Sequence, residues 1–450
     1  MKSNSPTDHQ TSFLLPTLKE MLDTGEPLCQ LADHFPWEKL EERFGKNYSH
    51  KGRPAKPIRL MVSLLLLKHI ENLSDEIVVR NWKLNPYYQY FSGEVYFQKR
   101  YPIEPSDLVH FRNRIGEEGA EFLLGISANL FGTASQEEQI VADTTVQEKN
   151  ITFPTDVKLS RKVIERCWKI AATENIHVRQ SYRFKVRKLL GLQRLHRSRI
   201  TSQRRVAMKA ERHLRTIAYR LVRELNRELS DRQLLQYGQD LELFYQVLSQ
   251  KKGDTHKIYS LHEPDVYCIS KGKAHKRYEF GSKVSILQTA TYGVIVGALS
   301  FQENLHDSNS LEPAIAQRNR LVKGEIKEIL TDKGYQGIRQ IGEAVVTISG
   351  RFKKGLSYYW KQKFKKKMGR RSAIEPAIGH MKQENRLGRN YLKGLIGDQM
   401  NVIMAASGYN IRKWMREKPE KLFFVFILIP IQIFFKAVSR VICPVLPGLA

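Results

Sequence analysis

A helical stretch of one charge sign interrupts what otherwise reads as a sheet. From Lys158 to Arg223 there are 20 Lys or Arg against Glu165, Glu174 and Glu211, in a helical pattern that includes Trp168, Tyr182, Phe184, Leu189 and Leu190. Strand-like runs lie on both sides: Gln139–Thr145 before it, then Lys283–Thr291 and Val294–Phe301, which Tyr292-Gly293 separates as a hairpin turn. Leu311–Leu321 reads as a helix, Ile326–Thr331 and Val345–Ser349 as strands, and a helix from about Ser372 completes the set. The sheet must therefore be left and re-entered around a long helical insert. With the insert set aside, the order predicts an α/β fold, a mixed sheet with covering helices.

Upstream, residues 1 to about 130 read as helical. Residues 57–73 carry an apolar face at helical spacing, and the next helix starts after a Ser74 cap. Asn85-Pro86, followed by Tyr87, Tyr88, Tyr90 and Phe91, marks a turn rich in aromatics. A compact basic helical domain of this kind either sets one helix in the major groove of duplex DNA or serves packing and dimerisation. Charge favours a polyanionic partner: 74 Lys plus Arg against 46 Asp plus Glu give +28. A solvated helical face mixes signs, so Arg204, Arg205 and Arg212 of the insert are expected on DNA phosphates, supplying affinity without sequence specificity.

An apolar content of 41% in 450 residues supports two or three domains. The expected boundaries are 1–130, 131–415 with the insert at about 157–252, and an apolar tail at 416–450. Cys29, Cys167, Cys268 and Cys443 show no CxxC spacing, which argues against a zinc ribbon or disulfide framework. Cys268 is expected in the core, and His262 and His275 as loop contacts. The N-terminus lacks the basic-then-apolar order of a signal peptide, so a cytoplasmic protein is expected. Leu422–Phe435 is apolar except for Pro430 and Gln432 but spans 14 residues. A crossing helix needs about 20, and stable membrane association is not expected.

Three acids stand in separate segments: Asp143 in IVADTTV, Asp332 in EILTDKGYQG and Glu375 in RRSAIEPAIGHMK. Carboxylates from three segments can hold two divalent cations, an arrangement suited to phosphodiester chemistry. Each has a simpler reading: a polar strand end for Asp143, a turn start for Asp332, and a capping box with Ser372 for Glu375. At 100° per residue Glu375 shares a helical face with Lys382, Arg386 and Arg389, and Arg371 joins them if the helix begins a turn earlier. Glu384 points to the other side. Arg351–Arg371 holds ten Lys or Arg and no acid, with Tyr358, Tyr359 and Trp360 offering rings for base or sugar contacts. A carboxylate in that company fits a place where metal and phosphate approach together.

These residues resemble the DDE transposases of bacterial insertion sequences, whose third motif is Y-x2-R-x3-E-x6-K. Arg371, Glu375 and Lys382 match it, and Met368 stands at the tyrosine, leaving open whether nearby Tyr358 replaces it. Asp143-Thr144-Thr145 and Asp332 with Gly334, Tyr335 and Gly337 resemble the first two motifs. The resemblance covers about residues 50–415, including the helical region before residue 130. It implies a ribonuclease H-like catalytic domain, two Mg²⁺ or Mn²⁺ on Asp143, Asp332 and Glu375, and phosphate contacts from Arg371 and Lys382. It further implies binding of the element's inverted-repeat ends, cleavage, joining to target DNA, and at least a homodimer for synapsis. A ribonuclease H-like nuclease without strand transfer, or an inactive DNA-binding repressor derived from a transposase, are the competing readings.

Overall fold

The computed structural model describes residues 15–49, 54–251, 253–270, 277–350 and 357–423. The apolar run 422–435, apart from its first two residues, and His275 and Cys443 lie outside the described residues. Residues Glu148–Lys283 with Gln302–Asn304 form one compact unit, and the other described residues form a second.

The larger unit opens with helices α1 (Leu18–Met21), α2 (Pro27–His34), α3 (Trp37–Gly45), α4 (Ile58–Ile70), α5 (Asp75–Leu84), α6 (Pro86–Phe91) and α7 (Pro105–Asn129). In place of the single apolar face read from its sequence, α4 is buried around nearly its whole circumference, which makes it the centre of this layer. The Ser74 Oγ accepts the Ile77 amide at 3.2 Å and starts α5 as expected. The aromatic stretch expected as a turn is instead helical. Asn85 Oδ1 accepts the Tyr87 amide at 2.9 Å, and Pro86 occupies the first helical position, where its missing N–H costs nothing.

The sheet is built from β1 (Gln139–Lys149), β2 (Tyr267–Ser270), β3 (Tyr278–Thr289), β4 (Ile295–Phe301), β5 (Glu328–Thr331), β6 (Gln340–Ile341), β7 (Ala344–Ile348) and β8 (Arg389–Asn390). Strand β1 lies between β3 and β5, and β5 is followed by β7 and β6. The β1–β5 and β5–β7 pairs are parallel and β6–β7 is antiparallel, so the sheet is mixed as predicted. The hairpin is also as predicted: Thr289 N donates to Val294 O at 2.9 Å, and Gly293 adopts φ 67°, a left-handed value that suits glycine.

Pleating sends alternate residues to opposite faces. Ile140, Ala142 and Ile329 pack on the side of α12 (Asp307–Leu321), while Val141 and Leu330 join the core made with α4, α7 and α15 (Gly394–Phe423). Helix α15 runs so close to α4 that a β-carbon at Gly408 would sit 3.0 Å from the His69 carbonyl. The fold is thus a mixed α/β sheet with helices on both faces and a helical N-terminal region.

The smaller unit carries α8 (Asp156–Thr173), α9 (Arg183–Leu192), α10 (Thr201–Glu228) and α11 (Asp231–Ser249), and in it β2 pairs antiparallel with the first residues of β3. Leu214, Ile217, Leu221 and Leu225 of α10 enter its apolar core. Arg205, Lys209, Arg212, Arg220, Arg223 and Arg227 are exposed and follow each other at steps of three and four, with one step of eight, which sets them along one side of the helix. Cys268, expected in the core, is only half-buried on β2.

Candidate active site

Register brings the first two acids together. Gln139, Ile140 and Val141 pair with Glu328, Ile329 and Leu330; two residues further on, the same offset sets Asp143 level with Asp332. Asp143 lies within β1 rather than near its end, because the strand continues to Lys149. Asp332 follows the last residue of β5, and its Oδ1 accepts the Gly334 amide at 2.8 Å. The turn-forming role is therefore real and leaves Oδ2 directed elsewhere.

The third motif comes from two helices, α13 (Tyr358–Arg371) and α14 (Ile374–Glu384). Arg370 Nη1 donates to Gln139 Oε1 at 3.0 Å, and Lys367 forms an ion pair with Glu328, tying α13 to the starts of β1 and β5. Arg371, its last residue, then reaches all three acids. Nη1 is 2.7 Å from Glu375 Oε1, and Nη2 is 3.3 Å from Asp143 Oδ2 and 3.8 Å from Asp332 Oδ2. The Arg371 and Asp143 side chains are 16% and 15% exposed, Asp332 35% and Glu375 60%. Glu375 does not cap its helix: Ser372 has helical dihedrals, and Ala373 is the N-cap, without a side-chain bond.

One guanidinium thus answers three carboxylates that would otherwise repel one another. Arg371→Gln is expected to destabilise the metal-free protein by about 2 kcal/mol, the scale of lost charge-assisted hydrogen bonds. Urea unfolding in a chelating buffer measures this, and an unchanged midpoint would refute the counterion role.

The expected common face of Glu375, Lys382, Arg386 and Arg389 requires a correction. Helix α14 stops at Glu384, Arg386 takes a left-handed φ of 67°, and Leu387 N and Gly388 N fold back to Met381 O and Lys382 O at 3.0 and 3.2 Å. Arg389 lies on β8 instead of the helix. Arg386 donates to Leu73 O at 2.6 Å and stacks over Tyr391. Lys382, Arg386 and Arg389 nevertheless meet in a cleft, which Lys68, Asp75 and Arg112 also line. There Asp75 accepts from Lys68 at 2.8 Å and from both Arg112 Nη atoms at 3.0 and 2.7 Å. Burial alone would raise the Asp75 carboxyl, but Arg112 and Lys68 together hold it at about 2.

Other expected residues sit elsewhere. Arg204, Arg205 and Arg212 are exposed on α10 of the smaller unit. Met368, at the motif's tyrosine position, packs against the apolar core. Tyr358 is exposed at the start of α13, ten residues and roughly 15 Å of helix away, so it does not take that place. His262 makes a loop contact with Ser260 at 2.9 Å.

Asp307 was not legible from sequence. Its Oδ1 accepts the Thr144 hydroxyl at 2.7 Å, beside Asp143. Tyr335 is fully buried nearby, and its phenol is pushed up by burial first and then by Asp143, Asp307 and Asp332. An acid at the first residue of a helix is commonplace, and no spacing signal distinguished this one.

Among the described residues, no three of His, Cys, Asp and Glu stand as a ready metal-binding group; the acids share Arg371 instead. Their chemistry suits a hard divalent cation, since each offers only carboxylate oxygen.

Two family descriptions match the chain: a transposase domain (DUF772) over residues 16–114 and a transposase DDE domain over residues 255–411. The second range contains Asp332, Arg371, Glu375 and Lys382, and Asp143 falls between the two. The chain is 40% identical over 187 residues to an uncharacterized protein, ORF8 in the nfe locus of Rhizobium meliloti, covering 40% of this chain and 90% of that protein. No solved structure matches. The helical N-terminal match, the DDE match and the mixed sheet agree, and the chain belongs to the DDE transposases of insertion sequences.

Proposed function

We propose that this transposase binds the inverted-repeat ends of its element, cleaves there, and joins the freed 3′-hydroxyls to target DNA. The observation that carries the reading is the meeting of Asp143, Asp332 and Glu375, from three segments, on the single guanidinium of Arg371. These three would hold two Mg²⁺ or Mn²⁺, which when bound supply Lewis acidity at the attacking and leaving oxygens.

The chain's own groups prepare the site. Asp143 and Asp332 are fixed by strand register, and Glu375 approaches from the first turn of α14. Arg371 serves two anions in turn, the carboxylates in the protein alone and a DNA phosphate in the complex. Lys382, Arg386 and Arg389 line a cleft whose cations attract the backbone near the cleaved bond. The N-terminal helices, about residues 1–130, are assigned to end recognition, and residues 131–415 to catalysis. Two chains hold the two ends together, and the protein works in the cytoplasm on nucleoid DNA.

Purified protein, incubated with duplexes bearing its element's ends, is expected to give nicked and joined products in Mg²⁺ or Mn²⁺ and none in chelator. Nicked product alone would replace the reading by a nuclease. Binding without products would replace it by a repressor.

The insert is assigned to DNA backbone contact. Neutralising Arg204, Arg205 and Arg212 together is expected to lower the slope of log affinity against log salt by roughly 2 to 3, since each phosphate neutralised contributes about 0.9. An unchanged slope in a salt titration would remove the insert from the DNA-contacting surface.

A further inference from the structure

We infer that Asp307 is a fourth carboxylate of the divalent-cation site, an assignment that rests on the reading of Asp143 and Asp332 as its ligands. Asp307 opens α12 after the N-cap His306, where an acid ordinarily serves the helix dipole alone. Its side chain leaves that helix. Oδ1 accepts the hydroxyl of Thr144, the residue after Asp143. Oδ2 lies over Gly334: a β-carbon built there would collide with it and stand 3.0 Å from Asp332 Oδ1. The Asp307 and Asp332 carboxylates therefore bracket one missing side chain.

Asp307 accordingly touches β1 at the residue after Asp143 and lies over the turn that Asp332 opens after β5. Carboxylates gathered so closely repel unless a cation sits among them. The site already binds a cation of the chain's own, because Arg371 reaches three of the acids. A hard divalent ion takes several carboxylate oxygens at once, and Asp307 adds its own to the set. The same placement explains glycine at 334, whose φ is not in the left-handed region: it leaves room for the Asp307 carboxylate.

Mn²⁺ binding to the full chain, followed by electron paramagnetic resonance, tests the assignment without relying on turnover. Asp307→Asn keeps an oxygen for Thr144 but removes the charge; Thr144→Val keeps the charge but removes the hydrogen bond. Gly334→Ala displaces the carboxylate while leaving Asp307 intact, a second route should Asp307→Asn fold poorly. Asp307→Asn and Gly334→Ala are each expected to weaken Mn²⁺ binding roughly tenfold or more, with Thr144→Val within about threefold of wild type. Wild-type affinity in Asp307→Asn would overturn the assignment. So would an equal loss in Thr144→Val, which would make Asp307 a brace for β1. If Asp332→Asn also bound Mn²⁺ like wild type, the metal reading of the whole site would fail; a loss in Asp332→Asn alone would fault only Asp307.

Discussion

Asp332→Asn is expected to lower nicking and joining of end DNA roughly 10³-fold, about 4 kcal/mol of transition-state stabilisation, while duplex affinity and folding stability stay near wild type. The amide oxygen can still accept the Gly334 N–H, so the turn after β5 survives. Only the charge directed toward Arg371 is lost. At 35% exposure that charge contributes little to stability, and its removal relieves repulsion from Asp143. Gel assays of nicked and joined product, run beside a filter-binding titration, separate the two effects. Full activity in the variant would sink the assignment of Asp332.

Asp75→Ala is expected to destabilise the protein by about 3–5 kcal/mol, the scale for breaking a buried ion cluster from one side. Lys68 and Arg112 have side chains only 5% and 6% exposed, and Asp75 is the acid to which both donate. Removing it leaves two cations facing one another in the wall of the Lys382 cleft, and it also strips an acid from the first turn of α5. The wild-type cluster implies an acid sensitivity whose sign follows from its shift. The folded Asp75 titrates at about 2, below its ordinary value of 3.8. Its stabilisation, about 2 kcal/mol, is therefore fully present above pH 4 and lost as pH falls toward 2. Urea midpoints between pH 2 and 6 check both statements. A loss under 1 kcal/mol in Asp75→Ala would refute the cluster's structural role.

Most strands were legible because their apolar runs are local. The end of β1 was not, since Gln147 and Lys149 look like surface residues. They are buried because partners arrive from distant segments: Asn401 donates to Gln147 Oε1 at 2.7 Å, and Lys149 pairs with Glu263 at 3.3 Å. The stop of α14 has a local signal in Asn385 and Gly388. A helical wheel assumes the helix continues, and here the chain reverses two residues past Glu384.

The acids themselves divide in the same way. Asp143, Asp332 and Glu375 stood out through neighbouring residues, but nothing local set Asp143 beside Asp332. The parallel register did, and register depends on which strands pair. Asp307 meets them at a hydroxyl on β1 and beside a glycine after β5. Such contacts between segments leave no spacing to read.

The proposed function requires these carboxylates to exchange a guanidinium for divalent cations when DNA is engaged. Crystals of the protein with its end DNA, grown in Mn²⁺ and measured at the manganese absorption edge, test it most directly. Anomalous peaks are expected in contact with Asp143, Asp332 and Glu375, with Arg371 turned to a phosphate. No peak at any of the three carboxylates, with Arg371 still bridging them in the complex, would contradict it.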